Sequence, residues 1–247
     1  MPMQSSDSLI TSYFGRYHAA YRTSERHAHG SDLAHLIDSL HLQPNSLVLD
    51  AACGTGHTTL ALASRGHRVV GMDMTPEMVH EAQDLAQSRG LSASWIIGNV
   101  DQLPWDPQTF DAVTCRRAAH HFQNLQSFLR EAHRVLKPGG VLGISDMTAP
   151  TSAIDWLNQL ETLRDPSHQA ARSANQWCTL LGESGYDVEY LQVSVEPMTP
   201  TEWLAPVSTD SLEGNQALTF MNDHAPASIL SSDQFLKYRL IITAVKS

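Results

Sequence analysis

From about residue 46 the pattern of apolar and polar positions alternates between strand-like and helix-like segments. Ser46–Ala52 reads as a strand, and Thr58–Ser64 as a short helix closed by Gly66. His67–Met74 predicts a second strand. Thr75-Pro76-Glu77 then opens a helix: Thr75 offers a cap, Pro76 suits the first turn, and Glu77 favours the positive N-terminal end. That helix should end at Ser88, before Arg89-Gly90. Ser94–Ile97 and Phe110–Cys115 predict the third and fourth strands. Leu125, Phe128, Leu129, Ala132, Val135 and Leu136 then trace the i, i+3, i+4, i+7 stripe of a helix with one buried face. Lys137-Pro138-Gly139-Gly140 should stop it, with Val141–Ser145 following as a fifth strand. Strands alternating with helices of this length predict an α/β fold, a doubly wound and mostly parallel sheet with helices on both faces.

The texture changes after Pro150. Residues 151–185 look helical with polar breaks, and Val188–Val195 alternates as a strand. Phe235–Val245 predicts a final strand, taken as an antiparallel edge of the sheet, and Pro197–Ser232 a helical flap. Tyr13, Phe14, Tyr17 and Tyr21 lie on an amphipathic helical segment preceding the sheet. The expected organisation is a helical lid over residues 1–45, a core over 46–150, and substrate-region helices with the last strands of the same domain over 151–247.

Composition narrows the partners. A net charge of -10, with Arg116-Arg117 the densest basic stretch, argues against nucleic acid, which needs a concentrated basic face. Cys53, Cys115 and Cys178 are odd in number and widely spaced, so neither a disulfide framework nor a zinc knuckle is expected. The N-terminus lacks a charged segment followed by an apolar core, and no apolar run is long enough to span a bilayer. A cytoplasmic protein without a membrane span is therefore expected. His27 and His29 lack partners at ligand spacing, so no metal is expected. A homodimer is left as an open expectation, since no motif encodes the oligomeric state.

In open α/β sheets, ligands bind beyond the carboxyl ends of the strands, where the strand order switches. Five predicted strands end there on chemically suggestive residues: Asp50–Gly56, Asp73, Asn99-Val100-Asp101, Cys115–His121 and Asp146. Gly54 and Gly56 let the backbone approach a ligand closely. A dinucleotide fingerprint would place a third glycine where Thr59 stands, and no lysine follows as in a P-loop. Asp50, four residues before the first glycine, suits a cationic ligand better than a pyrophosphate. Asp73 can accept hydrogen bonds from a ribose diol.

The segments VLDAACGTGHTTLALA, VVGMDMTPEMV, GNVDQLPW, FDAVTCRRAAHHF and RVLKPGG, in this order and spacing over residues 45–150, resemble the class I S-adenosylmethionine-dependent methyltransferases. Within them the chain most resembles the small-molecule group of ubiquinone/menaquinone C-methyltransferase-like enzymes. The resemblance implies a Rossmann-like fold, S-adenosylmethionine as cofactor with S-adenosylhomocysteine as product, and a small-molecule acceptor. It implies that the 50–56 loop holds the methionyl end, with Asp50 near the ammonium and Ala52, Gly54 and Gly56 shaping the pocket. Asp73 would take the ribose hydroxyls and Met74 the adenine face. Asn99 stands where the family usually has an acid, and its amide oxygen remains able to accept from the adenine amino group. Val100, Cys115 and Arg116 would complete the pocket.

Methyl transfer is an in-line displacement, and a general base is needed only when the acceptor must lose a proton. His120 and His121 follow the fourth strand, where family members put acceptor-facing residues, and imidazole suits that task. His120 is the preferred candidate, with Asp146 to orient a histidine or contact substrate, and His168 within Arg164–His168 as a further catalytic candidate. Two other readings stay open: a non-methylating reaction on the same cofactor, such as cyclisation or decarboxylation, and a binding module without turnover. Product mass separates the first from methyl transfer, and absence of S-adenosylhomocysteine production would favour the second.

Overall fold

The computed structural model describes residues 6–231 and 234–247. Three helices lead the chain, α1 (Ser6–Arg22), α2 (Glu25–His29) and α3 (Ser31–Ser39). The core then runs β1 (Leu47–Ala51), α4 (His57–Ser64), β2 (Arg68–Asp73), α5 (Pro76–Ser88), β3 (Ser94–Ile97), β4 (Phe110–Arg116), α6 (Leu125–Val135) and β5 (Leu136–Thr148). After it come α7 (Ile154–Arg164), α8 (Ala174–Glu183), β6 (Tyr186–Met198), α9 (Pro200–Leu204), α10 (Leu212–His224), β7 (Leu230–Ser231) and β8 (Gln234–Lys246). The sheet order is β3-β2-β1-β4-β5-β8-β6, with β7 paired to β8. The first five strands are parallel, and β8 runs antiparallel between β5 and β6.

The order reverses between β1 and β4, so a crevice opens beyond their carboxyl ends. The expected α/β sheet is present, and its antiparallel edge belongs to β6. The last strand lies one position further in, because β8 is the more continuously buried of the two: Leu240, Ile241, Ile242 and Ala244 are buried, while Val193 and Val195 on β6 face solvent. Helix α6 buries Leu125, Phe128, Leu129, Ala132 and Val135 against the core as its spacing predicts, each large side chain contributing roughly 1.5–3 kcal/mol. Helix α6 ends at Val135, ahead of Lys137–Gly140 as expected; β5 begins at Leu136 rather than Val141, and its register with β4 shifts across these residues, between the pairs Phe110–Leu136 and Ala112–Val141. The 197–232 region holds α9 and α10, with Ser232 outside the described residues.

Gly56 joins β1 to α4 at φ +82°, and an added Cβ would lie 2.7 Å from the Trp95 ring and 2.9 Å from Ala82 Cβ. Gly56→Ala therefore combines left-handed strain with overpacking and is expected to cost roughly 2–4 kcal/mol. A fall in the urea midpoint at unchanged m-value would register it. Among the described residues, no helix is long and apolar enough to cross a membrane.

Candidate active site

The chain leaves β1 through a turn with Ala52 at φ +55° and Gly54 at φ +52°. The Asp73 carboxylate at the end of β2 fastens this turn. Its Oδ2 accepts from Gly54 N–H at 2.8 Å and its Oδ1 from Thr75 N–H at 2.9 Å. Thr75 occupies the cap position of α5 but forms no side-chain cap bond, contrary to expectation, because its own N–H and its hydroxyl both turn to Asp73. Burial raises the Asp73 pKa, against the hydrogen bonds that favour its ionised form.

Above this turn lies a cleft of about 990 Å³, counting its mouth. Ala52 and Gly54 line it from the turn, Asp73 and Met74 from β2, Asn99 and Val100 from beyond β3, and Arg116 from β4. Asp50, Gly56 and Cys115, expected in the same wall, are not on it. Asp50 shares a strand face with Val48, which packs under α3 and α4, so its side chain turns beneath the loop. There its oxygens accept from Thr59 Oγ1 at 2.6 Å and Thr114 Oγ1 at 2.9 Å, and burial pushes its pKa up to about 6. Asp50 thus fastens α4 and β4 to β1. Cys115 sits with Val113 in the main core, and burial lifts its thiol far above the usual range. Gly56 acts through packing, as described above.

Asn99 Oδ1 accepts from Asp101 N–H at 2.9 Å, while its Nδ2 donates to Asp7 of α1 at 3.4 Å. Asp7 and Asp101 add two carboxylates to this end of the cleft, and burial and Asp7 raise the Asp101 pKa. Helix α1 is pinned over the cleft by His18 and Arg22, which bond Glu81 of α5 at 2.9 and 2.6 Å. Phe14 meets His121 edge to face at 5.0 Å, and Tyr17 packs against Tyr13 rather than facing the cleft.

Arg116 grips Asp32 of α3 with two bonds, 2.7 and 3.0 Å, and donates to His27 O at 3.0 Å. Arg117 binds the same carboxylate at 2.6 and 3.1 Å, Ser145 Oγ donates to it at 3.1 Å, and Arg239 lies 3.9 Å away. Arg117 holds φ +57°, costly for a residue with a Cβ, and its N–H donates to Ser145 O at 2.6 Å.

A second chamber, of about 1380 Å³ counting its mouth, adjoins the cleft. Phe14, Tyr21, His27, Arg117 and His121 line both spaces. His121 Nδ1 lies 3.0 Å from Ser167 Oγ, which donates its single proton to Asp165 Oδ1 at 2.6 Å. Ser167 therefore accepts from His121 Nδ1–H, which leaves Nε2 as a free lone pair. Burial, then His120, hold the His121 pKa well below the ordinary histidine value. His120 lines only the second chamber, its Nδ1 2.5 Å from Asp146 Oδ1 and its backbone N–H on Asp146 Oδ2 at 2.8 Å. Asp146 lines neither space. His168 also lines neither: its Nε2 donates to Asn158 Oδ1 at 2.9 Å, bracing the turn where Asn158 also receives Ala171 N–H. Arg117 as a wall residue and Asp7 beside Asp101 escaped sequence reasoning, with only the Arg116-Arg117 doublet visible as a signal; Tyr21 and Asp101 stand out in the sequence, on the N-terminal helical segment and at the third strand end. Among the described residues, no three metal-ligating side chains gather around a common point.

Burial depresses the pKa values of His27, His57, His121 and His168, the second and fourth to about 4. The unfolded chain binds a proton at each near pH 6.5, whereas the folded chain keeps them neutral to lower pH. Their contribution is complete above pH 6.5 and is lost as pH falls through the window down to about 4, by about 1.4 kcal/mol per pH unit for each histidine held neutral. Asp50, raised to about 6, acts in the opposite direction over part of that window, as do Asp73, Asp101 and Asp165, also raised by burial, while a depressed His133 adds to the histidines. Urea midpoints are therefore expected to fall steadily from about pH 7 to about pH 5.

The sheet order, with its glycine turn after β1 and a carboxylate ending β2, defines the class I methyltransferase fold. The chain belongs to the methyltransferase family: residues 49–144 match the methyltransferase domain model, and the uncharacterized methyltransferase YcgJ of Bacillus subtilis is 32% identical over 212 residues, 85% of this chain and 84% of that one. The crystal structure of the YcgJ protein superposes with a TM-score of 0.82 at 28% identity, covering 88% of this chain and 99% of that chain. The demethylmenaquinone methyltransferase of Deinococcus radiodurans is 37% identical over 109 residues, 43% of this chain and 45% of that enzyme.

Proposed function

We propose that the protein transfers the methyl group of S-adenosylmethionine to a small-molecule acceptor, with the cofactor in the cleft and the acceptor in the second chamber. The observation that carries this reading is the meeting of the two spaces at His121, whose Nε2 lone pair is free. The cleft suits the cofactor chemically. It combines apolar plates, Met74 and Met78, with carboxylates, Asp73, Asp7 and Asp101, for a ligand carrying a flat base, a diol and two cationic centres. When bound, the sulfonium supplies an activated methyl group for in-line displacement.

The chain's own residues then have distinct tasks. Asp73 accepts hydrogen bonds from the ribose and keeps the Ala52–Gly54 turn in place. The backbone at Val100 and the Asn99 amide face the adenine edge, and Arg116, committed to Asp32, shapes the wall. His121 accepts the acceptor's proton at Nε2 when the acceptor is a hydroxyl or carbon acid, while Ser167 and Asp165 hold its tautomer. Phe14 and Tyr21 cover the junction and keep water out. Asp146 positions His120 on the acceptor side. Residues 6–39 serve as the lid, and 151–247 build the acceptor region.

Screening phenol, thiol, amine and quinol acceptors for S-adenosylhomocysteine release and a mass gain of one methylene unit tests the reading; S-adenosylhomocysteine formed without a methylated product, or none at all, would contradict it. His121→Ala is expected to lower kcat about 10²–10⁴-fold on a hydroxyl acceptor, with cofactor Kd unchanged. Equal turnover in the variant would remove His121 from the chemistry.

A further inference from the structure

The second chamber gathers four cationic side chains, in a chain whose net charge is -10. Arg117, Arg164, Lys237 and Arg239 line it. Glu161 binds Arg164 at 2.6 Å and also faces Lys237, one carboxylate against two cations. Arg116, Arg117 and Arg239 surround the single carboxylate of Asp32. The Lys237 ammonium has no hydrogen-bond or ion-pair partner among the described residues. It stands two residues from Arg239 on β8, so both side chains leave the same face of the sheet. The acids on the chamber wall do not bond Lys237: Glu25 and Glu202 are exposed, and Asp165 engages Ser167 and faces Arg164. Burial, then Arg239 and Arg164, push the Lys237 pKa down to about 7, and burial, then Arg117, bring Arg239 to about 9.

Buried like charges are costly unless something pairs them. Across the β6–β8 ladder Lys237 stands opposite Glu196, an exposed carboxylate with which it forms no ion pair. Phe14, Tyr21 and Trp203 supply apolar surface beside the cations. We propose that the acceptor is a small molecule bearing an oxyanion, carboxylate or phosphate, which docks between Lys237, Arg239 and Arg117 and presents its reacting atom towards His121. This rests on the methyl-transfer reading for the identity of the ligand as acceptor, while the anion site stands on the charges alone.

The test uses the full chain saturated with S-adenosylhomocysteine and titrated calorimetrically with benzoate, phenyl phosphate, inorganic phosphate and benzyl alcohol. Benzoate or phenyl phosphate should bind at least about ten-fold tighter than neutral benzyl alcohol, and the preferred one of the two identifies the oxyanion. Tight binding of inorganic phosphate alone would make the ligand a free anion and overturn the acceptor assignment. Lys237→Met should weaken the preferred anion about ten-fold or more, leave S-adenosylhomocysteine affinity unchanged, and raise the melting temperature of the ligand-free protein, because it removes an unpaired charge. Lys237→Arg should retain anion binding. Equal affinity for benzyl alcohol, or anion binding indifferent to Lys237→Met, would overturn the proposal. Failure of S-adenosylhomocysteine to bind, with anion binding intact, would instead overturn the cofactor assignment and leave the anion site standing.

Discussion

Asp32→Ala is expected to lower folding stability by about 3–5 kcal/mol, the usual cost of stripping one partner from a buried ion pair. Its carboxylate is 3% exposed and receives Arg116, Arg117 and Ser145, with Arg239 nearby. These groups come from β4 and its following turn, from β5 and from β8, so one side chain of α3 joins the N-terminal helices to three strands. Removing it leaves three guanidinium groups facing one another in a space with little water. A loss of that size is a large part of the roughly 5–15 kcal/mol that typically holds a domain together. Urea unfolding of Asp32→Ala measures it, and a change below about 1 kcal/mol, the value of an exposed pair, would show that the cluster is solvated and not structural. Asp32→Asn, which keeps the shape and loses the charge, should recover only part of the loss.

Asp73→Ala is expected to raise the Kd for S-adenosylmethionine about a hundred-fold. The carboxylate fastens the turn through Gly54 N–H and Thr75 N–H, and in the proposed reading it also accepts from the ribose. Hydrogen bonds to a charged group are worth about 1.5–3 kcal/mol each, so losing even two on binding gives this magnitude. Calorimetry against the wild type reads the effect, with circular dichroism to confirm the fold. An unchanged Kd would separate Asp73 from the ligand and leave it as a fastener of the turn alone.

The parts of the fold and site that were legible in the sequence are those encoded locally. The stripe at Leu125, Phe128, Leu129, Ala132 and Val135 defines α6 because its spacing alone selects a buried face. Asp73 and the Ala52–Gly54 turn were legible because strand ends and glycines mark the crevice. Asp50 and Cys115 were misplaced for one reason: a strand's alternation turns one residue to the ligand and the next into a packed layer, and the layer is set by distant elements. Asp50 meets Thr59 and Thr114, and Cys115 the main core. The Asp32 cluster joins residues 84 or more positions apart in the chain, beyond any local pattern. The preference between the two histidines also depended on tertiary contacts. Ser167, 46 residues away, fixes the tautomer of His121, while Asp146 engages His120.

Every role proposed for the site depends on S-adenosylmethionine occupying the cleft above the β1 turn, and calorimetric titration of the purified full chain tests that occupancy most directly. Saturable binding of S-adenosylmethionine and of S-adenosylhomocysteine is expected at a single site in each chain, weakened about a hundred-fold in Asp73→Ala, with no comparable heat from NAD. Binding of NAD in preference to both sulfur-containing ligands would contradict it.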